Sequence, residues 1–78
     1  MLRELSTLRP GQSAEIREVG GEPRLRRRLL ELGLLPKTVV TVRKRAPFGD
    51  PMQLHLRGFE LTLRASEAAL IQVEVKRA

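Results

Sequence analysis

The side chains able to do chemistry in this sequence are few. His55 is the sole imidazole, and cysteine is absent, which excludes a thiol nucleophile, an iron–sulfur site, a zinc knuckle and a disulfide framework together. Ser6, Ser13 and Ser66 have no histidine nearby, and no two carboxylates are spaced for acid–base work. Gly20-Gly21 carries neither the lysine of a phosphate-binding loop nor the spacing of a dinucleotide fold, so a plain turn accounts for it. His55 falls on the polar side of an alternating segment, without an acidic cluster around it. Ferrous sites recruit several imidazoles, carboxylates or thiolates with open positions. The chain is therefore not expected to be an enzyme, to carry a cofactor, to hold iron stably by itself or to take a small-molecule substrate.

What the sequence offers instead is positive charge. Twelve arginines and three lysines against nine carboxylates give a formal net charge of +6, and most of the excess sits at Arg24 to Arg28 and at Arg43-Lys44-Arg45. Such a balance suits nucleic acid, an acidic protein surface or an anionic membrane face. Aromatic rings are scarce: Phe48 and Phe59 are the whole set.

The elements that must position these charges are short. At 78 residues there is room for one domain, 1–78, with a core built of leucine, valine and isoleucine. Leu5 to Leu8 suits one helical turn, stopped by Arg9-Pro10-Gly11. Ser13 to Val19 alternates as a strand until Glu18, where a bulge or strand end is expected. Pro23 to Leu32 reads as a helix, with Pro23 in the first turn and Gly33 in the left-handed position beyond the last. Thr38 to Arg45 is β-branched and strand-like, and Ala46 to Pro51 is a turn-rich loop. Met52, Leu54 and Leu56 alternate with polar residues, Gly58 marks a tight turn, and Phe59, Leu61 and Leu63 follow as core-facing positions. Ser66 to Ala69 suits a single helical turn, and Ile71, Val73 and Val75 form the last strand. Five strands with one-sided alternation in so few residues must curl to protect their edges. The expected fold is mainly β, a small five-stranded antiparallel barrel with a short helix inserted between its first two strands.

On that helix Leu25, Leu29 and Leu32 make one apolar stripe, Arg26 and Leu30 share one flank, and Arg24 and Arg28 share the other. Arg27 and Glu31 pair behind. Three readings are open: a solvated face whose arginine stems cover leucine, a docking face anchored by the off-stripe Leu30 and rimmed by cations, or phosphate contact by Arg24, Arg26, Arg27 and Arg28. Leu34 and Leu35 either extend such a docking patch or belong to the core.

The order of these pieces resembles a known family. Leu8-x-Pro10-Gly11 precedes the first strand, then come Arg28-Leu29-Leu30-Glu31-Leu32-Gly33-Leu34-Leu35-Pro36, a valine strand, Ala46-Pro47-Phe48-Gly49-Asp50-Pro51, Gly58, and Leu61-Thr62-Leu63-Arg64-x-x-Glu67-Ala68. From Leu5 to Val75 this is similar to the FeoA family, small cytosolic companions of the bacterial ferrous iron transporter FeoB. The resemblance implies an SH3-like barrel with an inserted helix, a cytoplasmic location, and an accessory role in ferrous iron uptake through docking on cytosolic parts of the transporter, a membrane GTPase. Lys37 stands where the family often has glycine, so the turn there is expected to be of a type that does not demand positive φ. Thr62 stands where the family often has alanine.

Three functions follow as expectations. The favoured one is a non-catalytic interaction module that docks on the FeoB-type transporter through Arg26, Arg27, Leu30 and Leu34. The alternatives are a small basic barrel binding nucleic acid, disfavoured by the shortage of exposed rings, and an autonomous copy of the SH3-like domain of a metal-dependent repressor. Self-association through an open sheet edge stays possible, with Arg43, Lys44 and Arg45 blunting it. No apolar run is long enough to span a bilayer, and Met1 to Leu5 lacks the apolar stretch of a signal peptide, so the chain is not expected to be membrane-embedded.

Overall fold

The computed structural model describes residues 1–76. Strands β1 (Leu2–Glu4), β2 (Ser13–Val19), β3 (Val39–Arg45), β4 (Met52–Leu56), β5 (Phe59–Leu63) and β6 (Ile71–Val75) form one antiparallel sheet in the order β1-β6-β2-β3-β4-β5. Helix α1 (Pro23–Glu31) is inserted between β2 and β3, and the four-residue α2 (Ala65–Ala68) precedes β6. Tight 3₁₀ turns occupy Leu5–Thr7 and Pro47–Gly49. The mainly-β, curled architecture with its inserted helix is as expected from the sequence. The sheet has six strands rather than five, because Leu2–Glu4 pairs with β6 through Leu2↔Glu74, Arg3↔Val73 and Glu4↔Gln72. All three residues of β1 are exposed, so no apolar alternation marked it.

The alternating positions meet in the interior. Ala14, Ile16 and Val19 of β2, Val40 and Val42 of β3, Met52, Leu54 and Leu56 of β4, Leu63 of β5 and Ile71 and Val73 of β6 are buried together. Leu5 and Leu8, Leu29 and Leu34, and Ala68 close the ends of this core. Each fully buried leucine contributes about 1.5–3 kcal/mol of transfer free energy. No polar side chain is buried among the described residues. The break expected near Glu18 is present as a register shift between Ile16 and Glu18 in the β2–β6 pair.

That irregularity has a use. The Ile16 N–H donates to the Thr38 carbonyl at 2.8 Å, and the Ile16 carbonyl accepts from the Lys37 N–H at 2.6 Å. The turn Leu35–Thr38, closed by the Thr38 N–H on the Leu35 carbonyl at 3.0 Å, is thereby pinned to β2. Pro36 takes the second position of this turn and Lys37 the third, with φ +77°. The expectation that the turn would avoid positive φ is therefore corrected: it has the character of a type II turn, and surrounding hydrogen bonds hold a lysine where glycine fits best. Lys37→Gly is expected to stabilise the fold by about 0.5–1 kcal/mol, the left-handed penalty less the backbone entropy of glycine. A urea unfolding midpoint no higher than that of the wild type would contradict it.

Candidate docking surface

Helix α1 begins where the Glu22 carboxylate accepts the Leu25 N–H at 2.7 Å and the Arg24 N–H at 3.2 Å, with Pro23 in the first turn. It ends at Gly33, whose φ of +103° lets the chain reverse. Only Leu29 is fully buried on the helix; Leu25, Leu30 and Leu32 are half-buried against the core. The apolar stripe is thus wider than a single row, and Leu30 belongs to its margin.

The four arginines of α1 divide into two pairs. The Arg26 Nε–H donates to the Val19 carbonyl at 2.9 Å, fixing the helix to the end of β2. Arg28 forms an ion pair and hydrogen bond with Glu67, joining α1 to α2. Arg24 and Arg27 are exposed.

Of the residues expected to meet a partner, Arg26 and Arg27 are on the surface, Arg26 with its guanidinium engaged. Leu30 is half-buried, and Leu34 is fully buried, so Leu34 is corrected from partner contact to core. The physical reason is the Gly33 reversal: it swings Leu34 back under the helix, with its N–H on the Leu29 carbonyl at 3.2 Å, and leaves Leu35 facing outward. Leu30→Glu, which places a charge against the core, would test folding as much as docking.

The exposed apolar surface lies elsewhere. Leu35 is 39% exposed, Val39 44% and Phe59 42%. Phe59 was expected inward from its alternation; it keeps that phase but opens β5 at the end of the sheet, beside Gly33, whose Cβ position lies 3.4 Å from the ring. It is therefore corrected from core to surface, and the scarcity of exposed rings weakens as an argument against nucleic acid. Phe48, fully exposed, sits at the Met52 end of β4 while Phe59 sits at the Leu56 end, so the two rings do not form one stacking platform.

The second cationic cluster is also divided. Arg43 approaches Glu60 at 3.7 Å and Lys44 is exposed, whereas Arg45 is half-buried and bonded to the backbone. These residues do not blunt a sheet edge, since β3 lies inside the sheet and the edges are β1 and β5. His55 bonds through Nδ1 to Glu60 Oε2 at 2.6 Å, and Gln53 Nε2 donates to Glu60 Oε1 at 3.2 Å. The His55 hydrogen bond is the main cause holding the Glu60 carboxyl below the usual glutamate range. Among the described residues no three histidine, aspartate or glutamate side chains gather as a metal site, and no helix is long and apolar enough to cross a membrane.

Glu67 has a structural role that its place in the sequence did not show. Its Oε1 accepts the Arg64 N–H at 3.0 Å, and Asp50 Oδ1 accepts the Ala65 N–H at 3.0 Å, so two carboxylates cap the start of α2. The Arg64 N–H first, and the Arg28 guanidinium next, hold the Glu67 carboxyl below its ordinary value of 4.5. The unfolded chain therefore binds this proton more readily than the folded one. The contribution is complete above about pH 4.5 and is lost as pH falls through the lower folded-state value. In urea unfolding, Glu67→Gln is expected to be less stable than wild type at pH 7 and to converge with it in acid; a constant difference at every pH would contradict this.

The sequence pattern that defines the FeoA domain matches residues 3–75. The chain belongs to the FeoA domain family. A Porphyromonas gingivalis protein named as a fusion of Fe(2+) transport protein A and the Fe(2+) transporter FeoB is 37% identical over 71 residues, covering 91% of this chain. The chain spans 8% of that relative. The solution structure of a FeoA protein from Chlorobium tepidum is 40% identical, with a TM-score of 0.88 over 96% of this chain and 71% of that one. The crystal structure of Stenotrophomonas maltophilia FeoA with zinc, described as a prokaryotic SH3 domain protein, is 28% identical with a TM-score of 0.80 over 99% and 96% of the two chains. The fold is thus SH3-like, and the family is one linked to ferrous iron transport.

Proposed function

We propose that this FeoA domain is a non-catalytic accessory module of ferrous iron transport that docks on cytosolic parts of a FeoB-type membrane GTPase and modulates Fe(II) uptake. The observation that carries this reading is the Porphyromonas gingivalis relative, in which a homologous segment and FeoB are one polypeptide. Covalent linkage raises the effective concentration of two modules for each other, which is useful when they act together. The chemistry of the surface supports it: cations, half-exposed apolar side chains and a carboxylate-bound histidine suit recognition rather than bond-breaking.

The test is binding of the purified chain to its own organism's FeoB-type transporter in nanodiscs of neutral lipid, at about 150 mM salt, where long-range attraction between exposed charges is largely screened. Saturable binding is expected, together with slower Fe(II) uptake by cells lacking the chain. Absence of both effects would sink the reading.

A further inference from the structure

Among the described residues three non-glycine residues have positive φ: Lys37 at +77°, Phe48 at +69° and Arg57 at +49°. Arg57 and Gly58 (φ +86°) form the two-residue connection between Leu56 and Phe59, the geometry of a type I′ hairpin turn, for which Asn-Gly is the favoured pair. Lys37 likewise fills a position that glycine or asparagine fits at lower cost. Both positions thus carry a cation where a less strained residue was available. The turns lie at different places in the sequence, yet Lys37 and Arg57 line one shallow concavity with Leu35, Pro36, Thr38 and Val39. Strained residues that converge on one surface point to a function for their side chains.

The concavity is an apolar floor with a cationic rim. Val39, 44% exposed, continues the β3–β4 register opposite Arg57, and Leu35 is 39% exposed. Phe59, directly after the Arg57–Gly58 turn, takes the other side of the sheet, beside Gly33 and Leu56, and lies outside the concavity. Among the described residues no carboxylate lines the concavity, and the nearby Glu15, paired with Val39 across β2 and β3, is taken up by Arg17 at 3.0 Å. Helix α1, by contrast, has two of its four arginines occupied by Val19 and Glu67.

We infer that the concavity floored by Leu35 and Val39 and rimmed by Lys37 and Arg57 is the docking surface of this domain, and that its occupant is an acidic segment of the transporter carrying apolar anchors. This rests on the reading of the chain as a transporter module and assigns that module its face. Charge complementarity selects the occupant: two unopposed cations beside half-exposed apolar side chains fit carboxylates flanking an apolar side chain. Two cations and two half-exposed apolar side chains give little hold on a lipid surface, where binding grows with buried apolar area and basic residues.

Two variants test the assignment by opposite routes. Leu35→Glu puts a negative charge on the floor and is expected to weaken binding to transporter nanodiscs by about tenfold or more. Arg57→Asn removes a rim cation while supplying the favoured turn residue, so it is expected to raise the thermal midpoint and yet weaken binding by roughly threefold to tenfold. Arg24→Gln and Arg27→Gln on α1 are expected to stay within about twofold of wild type. If the wild type binds and Leu35→Glu and Arg57→Asn bind equally well, the face is wrong while the transporter reading stands. Failure of the wild type to bind removes that reading and this one together. Equal binding of the wild type to transporter-free nanodiscs containing anionic lipid, with the same sensitivity to Leu35→Glu, makes the occupant a membrane and overturns the assignment.

Discussion

Arg45→Ala is expected to cost about 3 kcal/mol of stability and to lower the thermal midpoint by roughly 10–20 °C. The Arg45 guanidinium is half-buried and donates from Nη1 to the Ser6 carbonyl at 2.7 Å and the Leu8 carbonyl at 2.8 Å, and from Nη2 to the Gly49 carbonyl at 2.9 Å. One side chain at the end of β3 therefore ties down the Leu5–Thr7 turn, which delivers Leu5 and Leu8 to the core, and the Pro47–Gly49 turn that leads into β4. Hydrogen bonds from a charged donor contribute about 1.5–3 kcal/mol each, and three from one group do not add fully. The planar fork matters as much as the charge, so Arg45→Lys is expected to recover less than half of the loss. Arg43→Ala and Lys44→Ala, whose side chains are exposed, are expected to stay within about 0.5 kcal/mol of wild type. Urea unfolding of the four variants is the check; an Arg45→Ala protein within about 1 kcal/mol of wild type would show that water replaces the guanidinium at those carbonyls.

Leu34→Ala is the second large effect, expected at about 3 kcal/mol from lost transfer free energy plus the cavity left behind. Leu34 has no exposed surface, whereas Leu35→Ala, next to it, is expected to cost less than about 1 kcal/mol. Transporter binding should separate the pair in the opposite sense once temperature is chosen so that both proteins are folded. Leu34→Ala should then bind nearly as the wild type does and Leu35→Ala more weakly. Equal stability of the two variants would contradict the assignment of Leu34 to the core.

What could be read from the sequence follows from which physical signal is local. The alternations through Met52–Leu56 and Ile71–Val75 are period-two patterns fixed by burial on one side, and both strands occur at those positions. Pro23 and Gly33 bracket α1 because missing N–H groups and left-handed φ are properties of single residues. The fates of Arg43 and Arg45, by contrast, are set by Glu60 and by Ser6 and Leu8, which are brought near only by folding. The same holds for Leu34 and Leu35, which composition cannot separate and the Gly33 reversal does. Lys37 misled because its positive φ is enforced from outside its own turn, by both backbone groups of Ile16. Phe59 misled because alternation reports which side a residue takes and not whether the sheet still has anything packed against it there. The docking surface was illegible for the same reason: its floor and rim come from the turn after α1 and from the β4–β5 hairpin.

The sheet order also fixes when the molecule becomes a folded body during synthesis. The last of the six described strands in chain order, β6, lies between the first two, pairing with β1 on one side and β2 on the other. Until Ile71–Val75 has left the ribosome, β1 has no neighbour and one side of β2 is bare, so Ile16 and Val19 lack Val73 and Ile71 across from them. The β3–β4–β5 meander, joined by short local turns, is complete much earlier. The bare side of β2 is therefore covered only when β6 pairs with it, and the same strand then brings β1 into the sheet.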